Sequence, residues 1–302
     1  MSELFPAALA AERRPVNGIR VHVRHGSTSS PGGPALLLLH GFPQSHVIWH
    51  RVAPRLASRF TLVMPDLRGY GDSDKPPGAA DHANYSKRTM ALDQVELMRS
   101  LGFASFFVCG HDRGARVAHR LALDHPDAVR KLMLLDISPT LTMYERTGMD
   151  FARLYYHWFF LIQPAPLPET LIAADPRLYV RRKIGTWGTR GATFFDPRAV
   201  AEYERCFADP DAIHGACEDY RAAATIDLEH DRADVAVGRR IECPVRVLWG
   251  ERGVVHRLFT PIADWQAWAR LPVTGRTTPG GHYIPEESPE ELSAEMLSFF
   301  TA

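Results

Sequence analysis

The stretch VCGHDRGARVAHR, residues 108–120, decides how the chain is read. A run of apolar or small residues, Ser105 to Cys109, enters Gly110-His111-Asp112-Arg113-Gly114, and a helical pattern follows. Small–x–nucleophile–x–small between a strand and a helix is the layout of a nucleophile elbow. That tight turn lifts its central side chain above a sheet. The first amides of the next helix then point at the lifted group. The central residue is Asp112, where an esterase carries serine, and Arg113 follows it. Alone, the segment reads equally well as a strand, a turn and an aspartate capping a helix. The surrounding sequence separates the two readings.

Short apolar runs recur on both sides of the elbow. ALLLLH (35–40), FTLVMPD (60–66), SFFVCG (105–110), KLMLLDIS (131–138) and VRVLWG (245–250) each stop at a turn signal, and VTGRTTPG (273–280) is a weaker example. These are buried-strand patterns. Helical patterns lie between them. SKRTMALDQVELMRSLG (86–102) predicts a helix with Ser86 as its N-cap and Gly102 beyond its end. The alternation predicts an α/β fold, a mostly parallel sheet with helices on both faces. From about Leu141 to Asp227 the alternation stops, and only helical patterns with Pro and Asp-Pro breaks remain. This predicts a helical cap at 141–225, inserted into a core made of 1–140 and 226–302.

Composition narrows the function. The chain has 302 residues, 45% of them apolar, enough to bury a large core. Lys plus Arg equals Asp plus Glu at 35 each, so no global charge points to nucleic acid or membrane surfaces. Cys109, Cys206, Cys217 and Cys243 form no C-x-x-C pair and read as free thiols in a reducing compartment. The first residues lack a basic n-region, and no apolar run reaches the length of a membrane span. A cytoplasmic protein is expected. No cluster has metal-ligand spacing, so neither metal nor organic cofactor is expected.

Two further blocks select the elbow reading. LLLLHGFPQSHVIWH (36–50) resembles the HG-x-P loop of α/β-hydrolases, in which the residue before Pro, Phe42 here, supplies an oxyanion amide. PGGHYIPEESPEE (279–291) supplies His282 in a late Gly-rich loop, where that family keeps its base. By itself such a histidine reads as a surface loop residue. A base needs an acid to orient it. Many family members place that acid a few residues after the strand ending LWG, but Gly253 occupies the place and Glu251 lies too close to the strand. The other known place, the end of the strand after the elbow helix, holds Asp136. Without a base to orient, Asp136 reads as a cap or turn residue.

An aspartate nucleophile excludes ordinary ester hydrolysis. A carboxylate displaces a leaving group from saturated carbon, and water activated by histidine then opens the resulting ester. Dehalogenases and epoxide hydrolases on this scaffold work so, commonly with Trp after the nucleophile. Arg113 stands there instead, with Arg116 one turn on. Two guanidinium groups suit a substrate carboxylate. Cations in a helix's first turn also oppose its dipole and ask for a compensating anion. HGFPQ, DLRGYGDSDKP, GHDRGARVAHRLALDHP and GGHYIPEESPEE together resemble the haloacetate dehalogenases of the α/β-hydrolase family, fluoroacetate dehalogenases above all. The likeness covers nearly the whole chain. It implies hydrolysis of 2-haloacetates, chloroacetate included, to glycolate and halide through an ester on Asp112. In that scheme Asp136 and His282 complete the triad, and Phe42 and Arg113 give the oxyanion amides. Arg113 and Arg116 bind the substrate carboxylate. His157, Trp158 and Tyr220, which otherwise read as core aromatics, hold the leaving halide. The resemblance also implies a homodimer and a small anionic substrate, and neither nucleic acid nor membrane as partner. Ala115 departs from the usual Gly; the extra methyl removes no functional group. An epoxide hydrolase using Tyr156 or Tyr220 as acid is the alternative enzyme. A non-catalytic ligand receptor on the same fold is the alternative outside catalysis, and the intact nucleophile, acid and base argue against it.

Overall fold

The longest apolar runs become the centre of a sheet. In a computed structural model, which describes residues 4–30, 32–187 and 193–302, the strands are β1 (Ala10–Val16), β2 (Ile19–Gly26), β3 (Ala35–Leu39), β4 (Thr61–Pro65), β5 (Phe106–His111), β6 (Val129–Leu135), β7 (Val245–Gly250) and β8 (Thr274–Thr278). They form one sheet of eight in the order β1-β2-β4-β3-β5-β6-β7-β8. From β4 to β8 all neighbours run parallel, while β1 and β2 pair antiparallel at the edge. β3 and β5 are buried along their whole length, as central parallel strands should be. Each of Leu36 to Leu39 is fully buried, contributing about 1.5–3 kcal/mol apiece.

The helices, α1 (Ala53–Leu56), α2 (Lys87–Ser100) and α3 (Arg113–Asp124) first, connect these strands. Ser86 caps α2 by accepting a hydrogen bond from the Thr89 N–H, and Gly102 follows its end at φ +90°. α3 begins at the elbow. Asp112 sits at φ +48°, a conformation costly for any residue but glycine. Its small neighbours are required by close approach. A Cβ on Gly114 would lie 2.3 Å from the His40 carbonyl oxygen, and one on Gly110 would lie 2.6 Å from the Ala115 Cα.

Between β6 and β7 the chain forms only helices among the described residues. These are α4 (Thr140–Glu145), α5 (Met149–Leu154), α6 (His157–Phe160), α7 (Leu167–Ala173), α8 (Pro176–Trp187), α9 (Pro197–Phe207), α10 (Pro210–Ala224) and α11 (Ile226–Ala236). The core and cap ranges read from the sequence also include residues 1–3, 31 and 188–192, which lie outside the described residues. No helix among the described residues is long and apolar enough to cross a membrane. The four cysteines carry free thiols.

Candidate active site

Four loops leave the carboxyl ends of β3, β5, β6 and β8 and meet above the sheet, the usual place for a site in such a fold. They bring Phe42, Asp112, Asp136 and His282 together. The Phe42 N–H donates to Asp112 Oδ1 at 2.9 Å. His282 lies across from it, with Nε2 3.9 Å from Asp112 Oδ2. The other ring nitrogen, Nδ1, is 2.6 Å from Asp136 Oδ2. Asp136 is itself held at φ +51°, and its Oδ1 accepts from the Gly250 N–H at 3.0 Å. With Nδ1–H donating to Asp136, Nε2 is the basic nitrogen, and it is buried without a hydrogen-bond partner. Arg113 opens α3, so its N–H has no intrahelical acceptor and stands beside Asp112.

Glu251 is exposed and lies 3.7 Å from Arg252. Its ion pair among the described residues is with Arg252 and not with His282. A Cβ on Gly253 would be 3.3 Å from Asp136 Oδ1. The two chain positions that could hold the acid therefore converge on one point in space, and Asp136 fills it.

Burial works against a charged Asp112, but the charges of His282, Arg113 and Arg116 overcome it and hold the carboxyl below its usual range. Burial also opposes a charged His282. The bond to Asp136, with the charges of Asp136 and Asp112, wins and raises the imidazole above its ordinary value. His111 is pushed down to about 3 by burial and by His282, so it is neutral at pH 7. It packs on His282 at 4.7 Å between ring centroids.

The arginine pair differs from the sequence reading in one respect. Arg113 is fully buried, and its Nε and Nη2 fork onto Asp219 at 2.8 and 2.9 Å. Asp219 also accepts from the Tyr70 hydroxyl at 2.6 Å and from Lys87. The anion that compensates a cation at the start of α3 is thus supplied by the cap, and Arg113 keeps only Nη1 without a partner. Arg116 donates from Nη1 to the Ser138 carbonyl at 3.1 Å and to Thr140 Oγ1 at 2.9 Å, leaving Nε without a partner. Burial and Arg113 push Arg116 down to about 10, so it remains a cation at neutral pH. Arg113 lies over the Tyr220 ring at 4.1 Å and Arg116 over Trp158 at 4.6 Å, so each cation sits on a cap aromatic.

The cap closes the site from above. His157 and Trp158 come from α6 and Tyr220 from α10. The Tyr220 ring lies 5.6 Å from His157 and 6.3 Å from Trp158. Phe42 stacks on His157 at 5.9 Å and meets Tyr220 edge-on at 5.4 Å. His157 Nδ1, Trp158 Nε1 and the Tyr220 hydroxyl are all buried without a partner. Burial, then the nearby Lys183, His282 and arginine charges, hold His157 well below its usual value, so it is neutral. Three buried polar groups without partners on one side of a site are costly unless a ligand or water completes them. The sequence reading placed Tyr156 among the candidate acids for epoxide opening. That residue is 48% exposed and lies against Lys183 instead. Its neighbour Tyr155 is the buried one, 6.4 Å from His282 and 5.3 Å from His157 between ring centroids.

One group among the described residues has metal-ligand chemistry. His22, His46 and Asp66 place ligand atoms within 4.8 Å of one another. Asp66 is already occupied: its Oδ1 accepts from the His46 N–H at 2.7 Å and the His46 ring at 2.8 Å, and its Oδ2 from the Asp72 N–H at 3.0 Å. The group staples the turn after β4.

The chain belongs to the α/β-hydrolase family, whose fold model matches residues 34–231. It is a hydrolase, and Asp112 stands at the elbow position where an esterase carries serine. Among individual proteins it is 50% identical over 269 residues to a fluoroacetate dehalogenase from Burkholderia sp., covering 89% of this chain and 88% of that one. A soluble epoxide hydrolase from Corynebacterium sp. (strain C12) is 35% identical over 94% of this chain and 95% of its own. The solved structure of a protein of this fold from Nostoc sp. PCC 7120 is 53% identical, with a TM-score of 0.93 over 97% of this chain and 98% of its own.

Proposed function

We propose that the enzyme hydrolyses the carbon–halogen bond of 2-haloacetates, fluoroacetate and chloroacetate among them, to glycolate, halide and a proton. The observation that carries this reading is the set of three buried, partnerless cap donors facing a carboxylate nucleophile flanked by two guanidinium groups. Nη1 of Arg113 and Nε of Arg116 hold the substrate carboxylate. Asp112 attacks the halogen-bearing carbon through Oδ2, the oxygen not held by Phe42. The C–O bond forms as the carbon–halogen bond breaks, and halide leaves toward His157, Trp158 and Tyr220. Fluoride is strongly hydrated in water, so donors aimed at its developing charge must replace that hydration.

His282 then takes a proton from water through Nε2, and the hydroxide attacks the carboxyl carbon of the Asp112 ester. The oxyanion forms on Asp112's own Oδ1, which already receives the Phe42 N–H; the Arg113 amide is the second donor. Collapse releases glycolate, the alkoxide taking its proton from His282. The carboxylate is regenerated with one oxygen from water. A single turnover in heavy-oxygen water with enzyme in excess tests this directly. Label should enter the Asp112 side chain before it enters glycolate. Label found first in glycolate, with Asp112 clean, would rule out the covalent route.

The likeness to a soluble epoxide hydrolase keeps one second reading. Tyr155 and Tyr220 would protonate an epoxide oxygen, and Arg113 would have no substrate charge to meet. Fluoride release from fluoroacetate, measured beside diol formation from styrene oxide, separates the two. A homodimer and a cytoplasmic location belong to the same proposal, and sedimentation of the purified protein tests the dimer.

A further inference from the structure

A cleft of about 320 Å³ runs from the surface to His282. Tyr155 and Trp187 line its inner part, and Arg153, Arg252 and Arg257 lie along it. A second hollow of about 250 Å³ shares Tyr156 and Thr186 with it and adds Arg182 and Lys183. Neither lining contains a carboxylate. Arg153 and Arg252 meet acids only loosely, at 3.6 Å from Asp150 and 3.7 Å from Glu251, and all four side chains are exposed. Such pairs neutralise little. Arg257 is exposed and makes no ion pair among the described residues. Lys183 is buried among rings instead of acids, its Nζ 3.6 Å from the Tyr156 ring and 5.0 Å from Trp187, and burial pushes it down to about 7, so the exposed arginines carry most of the charge. Some arginines elsewhere on the surface are matched closely, as Arg276 is with Glu291 and Glu295 at 2.5 and 2.8 Å; Arg59, Arg130 and Arg240 make no ion pair among the described residues, but they are not gathered along a cleft that leads to His282. The whole chain carries no net charge, so composition does not dictate this cationic concentration.

We propose that this cleft is the port through which the haloacetate reaches Asp112, and that Arg153, Arg252 and Arg257 steer its carboxylate inward. The proposal rests on the haloacetate reading and adds the route and the residues that select for an anion on the way in. Cations along a cleft with low-dielectric walls raise the local concentration of an anion and its association rate. Salt screens such a field over roughly 8–10 Å at ordinary ionic strength, so it acts at the mouth and not across the molecule. Past the arginines, the anion meets Trp187 and Tyr155 and arrives on the His282 side of Asp112. An anion docked at Arg113 and Arg116 has then moved from exposed to buried cations without crossing a carboxylate other than the nucleophile.

The test is the association rate of chloroacetate, read by stopped-flow tryptophan fluorescence in an Asp112→Asn background that cannot turn over. Sodium chloride is varied from about 10 to 300 mM, over which the screening length shrinks severalfold. Replacing Arg153, Arg252 and Arg257 together by Gln should lower the rate by about three- to tenfold at low salt and flatten its salt dependence. A control triple, Arg59→Gln, Arg130→Gln and Arg240→Gln, removes the same charge from exposed residues near the amino ends of β4, β6 and β7, the opposite edge of the sheet. It should leave rate and salt dependence near those of the parent. Chloroacetate that binds with equal rates in all three proteins overturns the port. Equal losses in both triples overturn it too, since net charge would then be the cause. Absence of chloroacetate binding in every protein overturns the haloacetate reading and the port with it.

Discussion

On the core side of the site, the reacting groups are fixed by bonds between loops far apart in the chain. Phe42 holds Asp112, Asp136 holds His282, and Gly250 holds Asp136. On the cap side, His157, Trp158 and Tyr220 are fixed by packing of their rings, while their polar atoms have no partner. The core half carries its geometry ready-made from strand ends. In the mechanism we propose, the leaving halide completes the cap half. The proposed mechanism thus puts covalent chemistry and leaving-group stabilisation in different halves, and substitutions should separate them.

The largest effect is expected on the core side. His282→Asn should release about one equivalent of halide and then stall, because displacement needs no base and ester hydrolysis does. The trapped ester should appear as a mass gain on the peptide holding Asp112. Sustained turnover by this variant would place the base elsewhere and dissolve the division between the halves.

On the cap side, Tyr220→Phe, Trp158→Phe and His157→Ala should each cost about 1.5–3 kcal/mol on fluoroacetate, or roughly 10- to 150-fold in kcat/KM, as for hydrogen bonds to charged groups. Chloride spreads its charge over a larger ion, so the loss on chloroacetate should be much smaller. Equal losses on both substrates would make these residues pocket walls, and the cap would be a lid without chemistry.

The pH profile sharpens the core side further. His282 must be neutral to accept a proton, and its value is raised by Asp136 against burial. Activity should therefore fall as pH drops through a value above the ordinary 6.5 of histidine, about tenfold per unit below it. Asp136→Asn removes the raising interaction and lets burial dominate, so the acid limb should move to lower pH at reduced kcat. Glu251→Ala should leave the limb in place. A limb that follows Glu251 would transfer the orienting role.

The smallest effect tests the floor's packing. Ala115 is fully buried, and its Cα is the atom a Cβ on Gly110 would strike. Ala115→Gly restores the common residue at a cost of about 1 kcal/mol in helix propensity. A fall of a few degrees in Tm with kcat/KM within about twofold is expected. A larger kinetic change would show that the methyl sets the pitch of α3 and hence the aim of Arg116.

The division also explains what was legible in the sequence. Strands β3 to β7 announce themselves as apolar runs because both faces are buried, and the elbow is marked by glycines that close approach demands. The amino-terminal hairpin escaped notice. β1 is mostly exposed and reads as polar chain, and in β2 only Ile19, Val21 and Val23 turn inward. The acid of the triad could be argued from a missing side chain at Gly253, since a gap at one position implies a partner from another. Asp219 could not be found so, because it lies 106 residues from Arg113 and no local pattern marks a helix aspartate as a counter-ion. Tyr155 and Tyr156 are adjacent and alike, and only the turn of the chain before α6 decides which faces inward.

Asp219 has a consequence for anyone who would treat the cap as an exchangeable part. It belongs to α10, yet it pairs with Arg113 and, together with Asp227, with Lys87 of the core, and Tyr70 from the core also donates to it. Stripping one partner from a buried pair costs about 3–5 kcal/mol. A hybrid that joined this core to the cap of another hydrolase would inherit a buried arginine with no answering charge, and would lose stability before its selectivity could be assayed. Transplanting Asp219 with the new cap, in register with Arg113, is the minimum graft. A lineage that altered the cap gradually would face the same constraint, free to vary the halide side while keeping one aspartate that never touches the halide.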